Sequence, residues 1–123
     1  MKKILVADDK ASSRELVRTV REHSGYEVLE AADGAEALAM AQDKEPDLIL
    51  LDLQMPALDG FGVIGKLRQD ARFQATPIVA LTANAMNGDE EKAMTAGFSG
   101  YITKPLRLSF LRSEVVRLLG PTL

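Results

Sequence analysis

The run Asp47-Leu48-Ile49-Leu50-Leu51-Asp52, continuing as Leu53-Gln54-Met55-Pro56, decides the fold of this chain. Four consecutive bulky aliphatics read as a strand covered on both faces, as in the middle of a parallel sheet. A charge does not belong inside such a strand, so Asp52 must sit where the strand emerges. Met55-Pro56 and then Asp59-Gly60 mark the loop beyond it. Ligands of open α/β sheets bind outside the carboxyl ends of the strands. Taken alone, Asp52 also suits a turn cap. It is not alone.

On the amino side, Ile4-Leu5-Val6-Ala7 is a second buried strand, ending in Asp8 and Asp9. Ser12-Ser13-Arg14-Glu15 matches a capping box, Ser12 with Glu15, and predicts a helix that buries Leu16, Val17 and Val20 and stops at Gly25. Tyr26-Glu27-Val28-Leu29-Glu30-Ala31 alternates, as an edge strand does. Asp33-Gly34-Ala35-Glu36 starts an Ala-rich helix to about Lys44, broken by Pro46. On the carboxyl side, Phe61, Ile64 and Leu67 predict a third helix, weakened by Gly62 and Gly65. Pro77 introduces the strand Ile78-Val79-Ala80-Leu81, ending at Thr82. Asn87 with Glu90 predicts the cap of a helix closing at Gly97. With only Ala93, Met94 and Ala96 to bury, this is the helix expected to be loosest. Gly100-Tyr101-Ile102-Thr103 is the last strand and Lys104-Pro105 follows it. Leu108, Leu111, Val115 and Leu118 stripe a final helix before Gly120-Pro121.

Strand and helix alternate five times without an internal linker. That predicts one α/β domain over residues 1–123, a doubly wound five-stranded parallel sheet with helices on both faces. The edge-like second strand favours the order 2-1-3-4-5.

Composition narrows the function. A chain of 123 residues with 27% charged and 46% apolar residues is an ordinary globular domain. A net charge of −3 and the lack of a Lys/Arg run give no surface for nucleic acid. The absence of cysteine removes disulfides, zinc thiolates and thiol catalysis. The apolar run after Met1 meets Asp8 and Asp9 too soon for a signal peptide, and nothing approaches the roughly 20 apolar residues of a membrane span. The expectation is a cytoplasmic protein.

In that strand order Asp8 and Asp9, Asp52, Thr82 and Lys104 end four neighbouring strands, spaced about 4.8 Å apart, and converge on one crevice. Three carboxylates that close repel one another unless a cation intervenes. All-oxygen ligands suit a hard divalent ion, and Mg²⁺ takes one or two carboxylates plus phosphate oxygens and waters. Lys104 supplies a point charge for a phosphoryl oxygen and Thr82 a hydroxyl donor. Such a site is built for phosphoryl transfer, where positioning and charge neutralisation do most of the work. It holds no candidate general base, since the single histidine, His23, lies late in the first helix. The nucleophile is then a carboxylate, and Asp52 is the central candidate for an aspartyl phosphate.

These residues resemble the receiver domain of bacterial two-component response regulators. The resemblance spans the chain: Asp8-Asp9, Ala32-Asp33-Gly34, Glu36-Ala37-Leu38, Asp52 with Leu-Gln-Met-Pro and Asp59-Gly60, Thr82-Ala83, Ala96-Gly97 and Lys104-Pro105. It implies a flavodoxin-like (receiver) fold and a phosphorylation-dependent switch rather than an enzyme. Asp52 would take a phosphoryl group from a histidine kinase or histidine phosphotransfer protein. Asp9, Asp52 and the backbone carbonyl of Gln54 would bind Mg²⁺ (or Mn²⁺), with Asp8 acting through water. Thr82 and Lys104 would contact the phosphoryl group, Tyr101 would be the switch aromatic, and the Lys104-Pro105 bond would be cis. A downstream protein would dock on the face of the fourth helix, fifth strand and fifth helix, and the chain is expected to be a monomer without membrane contact.

Three departures qualify the resemblance. Lys10 follows the acidic pair where a small polar or acidic residue is common. Arg107 stands where a capping Asp or Asn is common. Gly97-Phe98-Ser99-Gly100-Tyr101 differs from the pattern of receivers fused to winged-helix domains, which weakens the case for their type of dimer. Thr82-Ala83-Asn84-Ala85-Met86 is closer to stand-alone and hybrid-kinase receivers, and the Met1 start favours a stand-alone protein or an N-terminal fragment. A dehalogenase-type phosphatase would need a second Asp at the place of Gln54. A flavin carrier would need a Ser/Thr/Gly-rich loop where this chain has Asp8-Asp9-Lys10. A receiver degenerate in chemistry would not retain all of Asp8, Asp9, Asp52, Thr82 and Lys104.

Overall fold

The computed structural model describes residues 2–83 and 89–120. Its strands are β1 (Lys3–Ala7), β2 (Glu27–Ala31), β3 (Leu48–Asp52), β4 (Ile78–Thr82) and β5 (Gly100–Thr103). The helices are α1 (Ala11–Ser24), α2 (Gly34–Lys44), α3 (Gly60–Arg68), α4 (Asp89–Ala96) and α5 (Leu108–Leu119). All strand pairs are parallel, in the order β2-β1-β3-β4-β5.

The uninterrupted aliphatic runs become the central strands, and every residue of β3 and β4 is buried. Alternate side chains feed two cores. Leu5, Ala7, Ile49, Leu51, Ile78 and Ala80 meet α2 and α3 on one face. Ile4, Val6, Leu48, Leu50, Val79 and Leu81 meet α1 and α5 on the other. In β2 only Ala31 is fully buried, consistent with its alternating pattern and edge position.

The α2 start follows the sequence, whereas Asp59-Gly60, read as loop, already begins α3. Asp33 and Asp59 cap α2 and α3, their carboxylates accepting the N–H of Glu36 and of Gly62. Two glycines permit close approach behind the loop after β3. A Cβ on Gly34 would sit 1.6 Å from the Leu58 carbonyl oxygen, and one on Gly60 would sit 2.6 Å from that of Asp52.

The capping box at Ser12 is a correction. Helix α1 begins at Ala11, which puts Ser12 inside the first turn. The chain turns at Asp8, whose Oδ1 accepts the Lys10 N–H at 2.9 Å, so helical bonding begins earlier than a Ser12 cap allows. The expected Asn87 cap lies outside the described residues, as does the side chain of His23. A 3₁₀ turn, Ala71–Phe73, was not anticipated and brings Phe73 into the core. Arg107 precedes α5 without a side-chain cap, as its departure from the common residue implied.

Candidate functional site

Burial of β1, β3 and β4 carries their polar ends to a common edge. Asp8 is fully buried, and Asp52 and Thr82 are nearly so, while Asp9 faces solvent. One carboxylate oxygen from each of Asp8, Asp9 and Asp52 lies within 4.8 Å of the others. Lys104, carried in by β5, reaches two of the three. Its Nζ is 2.7 Å from Asp8 Oδ2 and donates to Asp52 Oδ2 at 3.2 Å. The Lys104-Pro105 peptide bond is cis, as the resemblance implied.

The backbone holds these side chains in place. The Gln54 N–H donates to Asp52 Oδ1 at 3.0 Å, so both oxygens of Asp52 are engaged. The Asp8 N–H donates to the Ala31 carbonyl at 3.0 Å, and the Lys104 N–H to that of Thr82 at 2.6 Å. Beyond Pro56 the loop turns sharply: the Leu58 N–H donates to the Pro56 carbonyl at 2.8 Å, and Ala57 takes φ 70°. That left-handed conformation is unusual for a residue with a Cβ and costs roughly 1–2 kcal/mol.

The electrostatics match the crowding. Burial pushes the Asp52 carboxyl above the usual carboxylate range; the Gln54 N–H opposes this, the charge of Asp8 adds to it, and Lys104 again opposes it. Burial works against the charge of Lys104, but its hydrogen bond to Asp8 and the two carboxylates outweigh that, and its pKa lies above the ordinary lysine value. An all-oxygen donor set with one solvent-facing carboxylate fits a hard divalent cation.

The sequence-predicted residues thus fall into two groups. Asp8, Asp9, Asp52 and Lys104 form one contact cluster, with Thr82 on the adjacent strand end and Gln54 on Asp52 through its N–H. Tyr101 lies apart from it, half-buried on β5 opposite Ala80. A cleft of ≈ 670 Å³ opens there, lined by Tyr101, Thr103, Ser109 and Phe110 among others. The sequence reading missed Arg14. Its Nη1 donates to the Asp8 carbonyl at 2.7 Å, and its Nε lies 3.3 Å from Glu30 Oε1. Arg14 and Arg18, four apart on one helix, opposite a Glu in an edge strand, were the available signal.

Comparison with known proteins agrees with this geometry. Residues 4–116 match the family model described as the response regulator receiver domain. The polar-differentiation response regulator DivK of Brucella ovis is 36% identical over 119 residues, 97% of each chain. Chemotaxis response regulator CheY4 of Vibrio cholerae superposes with a TM-score of 0.89 at 35% identity, covering 96% of this chain and 98% of that one. The receiver domain of sensor histidine kinase PA1611 from Pseudomonas aeruginosa PAO1 superposes with a TM-score of 0.87 at 33% identity, covering 97% and 98%; a magnesium ion is coordinated in its active-site cleft. With its five-stranded order, its acidic crevice and these relatives, the chain belongs to the response regulator receiver domain family.

Proposed function

We propose that the chain, residues 1–123, is a cytoplasmic receiver whose Asp52 accepts a phosphoryl group from a phosphohistidine of a histidine kinase or phosphotransfer protein. The observation that carries this reading is the Lys104 ammonium bridging Asp8 and Asp52 at the mouth of a three-carboxylate cluster. An oxygen of Asp52 attacks phosphorus, the P–N bond breaks, and the imidazole leaves with the electron pair. Asp9, Asp52 and the carbonyl of Gln54 would hold Mg²⁺ (or Mn²⁺), with Asp8 acting through water. Bound there, the ion would neutralise charge on the transferring group. Lys104, already on Asp52, is within easy reach of a phosphoryl oxygen added to that carboxylate, and Thr82 ends the neighbouring strand.

The phosphoryl group adds roughly −1.5 to −2 charge. A hydrogen bond from Thr82 to it is worth about 1.5–3 kcal/mol, a roughly 10- to 150-fold bias between two states. In this reading Thr82 moves towards the phosphoryl group and Tyr101 turns into the space it leaves. The output surface is then α4, β5 and α5. Its support is the cleft beside Tyr101 and three large apolar side chains exposed on α4 and α5, Met94, Phe110 and Val116.

The test is phosphorylation by a small phosphoramidate with Mg²⁺, read by intact mass. One acid-stable, base-labile phosphoryl group should appear on the parent and none on Asp52→Asn, with uptake abolished by chelation. Uptake unchanged in Asp52→Asn would remove Asp52 from its role.

A further inference from the structure

We infer that Arg14 is a positioning residue for the acidic pair, setting the Asp8–Asp9 peptide so that the carboxylate of Asp9 is presented to the cation. This rests on the metal reading proposed above. Asp8 is held from every side. Its N–H donates to Ala31 O at 3.0 Å, its Oδ1 accepts from the Lys10 N–H at 2.9 Å, and its Oδ2 faces Lys104 Nζ at 2.7 Å. The remaining group, its carbonyl, accepts from Arg14 Nη1 at 2.7 Å. A carbonyl and the next N–H belong to one rigid peptide plane, so fixing the Asp8 oxygen fixes the direction in which the chain enters Asp9.

Asp9 needs such help. It is the solvent-facing member of the cluster, whereas Asp8 and Asp52 are buried and both touch Lys104. The guanidinium is itself oriented. Glu30 on β2 pairs with Arg14 Nε at 3.3 Å and with Arg18 Nε at 2.7 Å. The residue after Glu30, Ala31, accepts the Asp8 N–H, so β2 braces both ends of the same turn.

Electrostatics and positioning predict opposite signs, which makes the idea testable. A guanidinium beside a cation site repels the cation, so if charge were its whole effect, removing Arg14 would tighten Mg²⁺ binding. If Arg14 positions Asp9, its removal weakens binding, and partners one step removed from a metal typically account for 10- to 100-fold in affinity. Arg14→Met should remain folded, because Glu30 keeps Arg18 as a partner.

The experiment is a Mg²⁺ titration of the parent, Arg14→Met, Arg14→Lys and Arg18→Met, each followed by amide NMR with EDTA-treated samples as the reference. The expected result for Arg14→Met is about tenfold weaker Mg²⁺ binding, together with a shifted Asp8 carbonyl carbon and shifted Asp9 and Lys10 amides before any metal is added. Arg14→Lys should recover part of the affinity, and Arg18→Met, which removes a cation from the same Glu30, should bind as the parent does. Affinity equal to or tighter than the parent in Arg14→Met would overturn the inference, as would an equal loss in Arg18→Met. Failure of the underlying metal reading looks different: the parent itself would not respond to Mg²⁺, and the inference would fall with it.

Discussion

Replacing Asp9 by Asn should make the metal-free protein more stable while weakening its response to Mg²⁺. One carboxylate oxygen from each of Asp8, Asp9 and Asp52 lies within 4.8 Å of the others, and Lys104 offsets charge on Asp8 and Asp52. Two unit charges at that separation repel by about 0.9 kcal/mol in bulk water and by about 3.5 kcal/mol at an effective dielectric of about 20. Asp9 faces solvent, so the lower figure applies; the Lys104 charge cancels about one of its two repulsions, and the variant should gain about 1 kcal/mol in EDTA. For a chain of this length that is roughly 3–5 °C in Tm. Mg²⁺ at a hundred times its Kd would stabilise the parent by about 2.7 kcal/mol; a hundredfold weaker site would gain only about 0.4 kcal/mol at the same concentration. The two proteins should therefore exchange order, or nearly so, between EDTA and Mg²⁺. Urea unfolding in both conditions measures all four stabilities. A variant that is less stable than the parent in EDTA, with its Mg²⁺ gain intact, would show that Asp9 is a structural residue and not a cation ligand.

Further outcomes are expected. Because the folded protein holds the Asp52 proton more tightly than the unfolded chain does, metal-free stability should fall as pH rises from about 3.8 through the higher folded pKa; Asp52→Asn should lack that fall, as urea titrations across pH 4–7 would show. Ala57→Gly removes the cost of a Cβ at φ 70° and should raise the unfolding free energy measured in urea by about 0.5–1 kcal/mol after the added entropy of the unfolded glycine chain. Thr82→Ala should still take phosphate on Asp52 yet lose most of the NMR shift at Tyr101 and most of the gain in partner affinity; a variant that switches like the parent would send the signal by another route.

Much of this molecule was legible because burial is written in residue type. Ile4 to Ala7, Leu48 to Leu51 and Ile78 to Leu81 have no polar face, so they belong in the centre of the sheet. Once the strand order is set, their polar ends have nowhere to go except one edge. The acidic cluster and Lys104 were therefore predictable from topology alone, before any side chain was placed. The start of α1 was not, because Ser12 and Glu15 carry the right signature while the turn at Asp8 decides where helical bonding begins.

Some contacts stayed hidden because the partner is a main-chain oxygen, which carries no residue identity. Arg68 is the clearest case. Its Nε and Nη2 donate to the Gly97 carbonyl, at 3.1 and 2.8 Å, and its Nη1 reaches the carbonyls of Phe73 and Thr76. These bonds tie the end of α3 to the 3₁₀ turn and to the segment after α4, and none of them leaves a trace in the sequence. Arg14 is half of each kind. Its ion pair with Glu30 could have been read from the spacing of charges, but its bond to the Asp8 carbonyl could not. The second bond is the one that touches the site. A reading built on charged partners would have assigned Arg14 to the surface of α1, when the carbonyl it holds leads directly into Asp9.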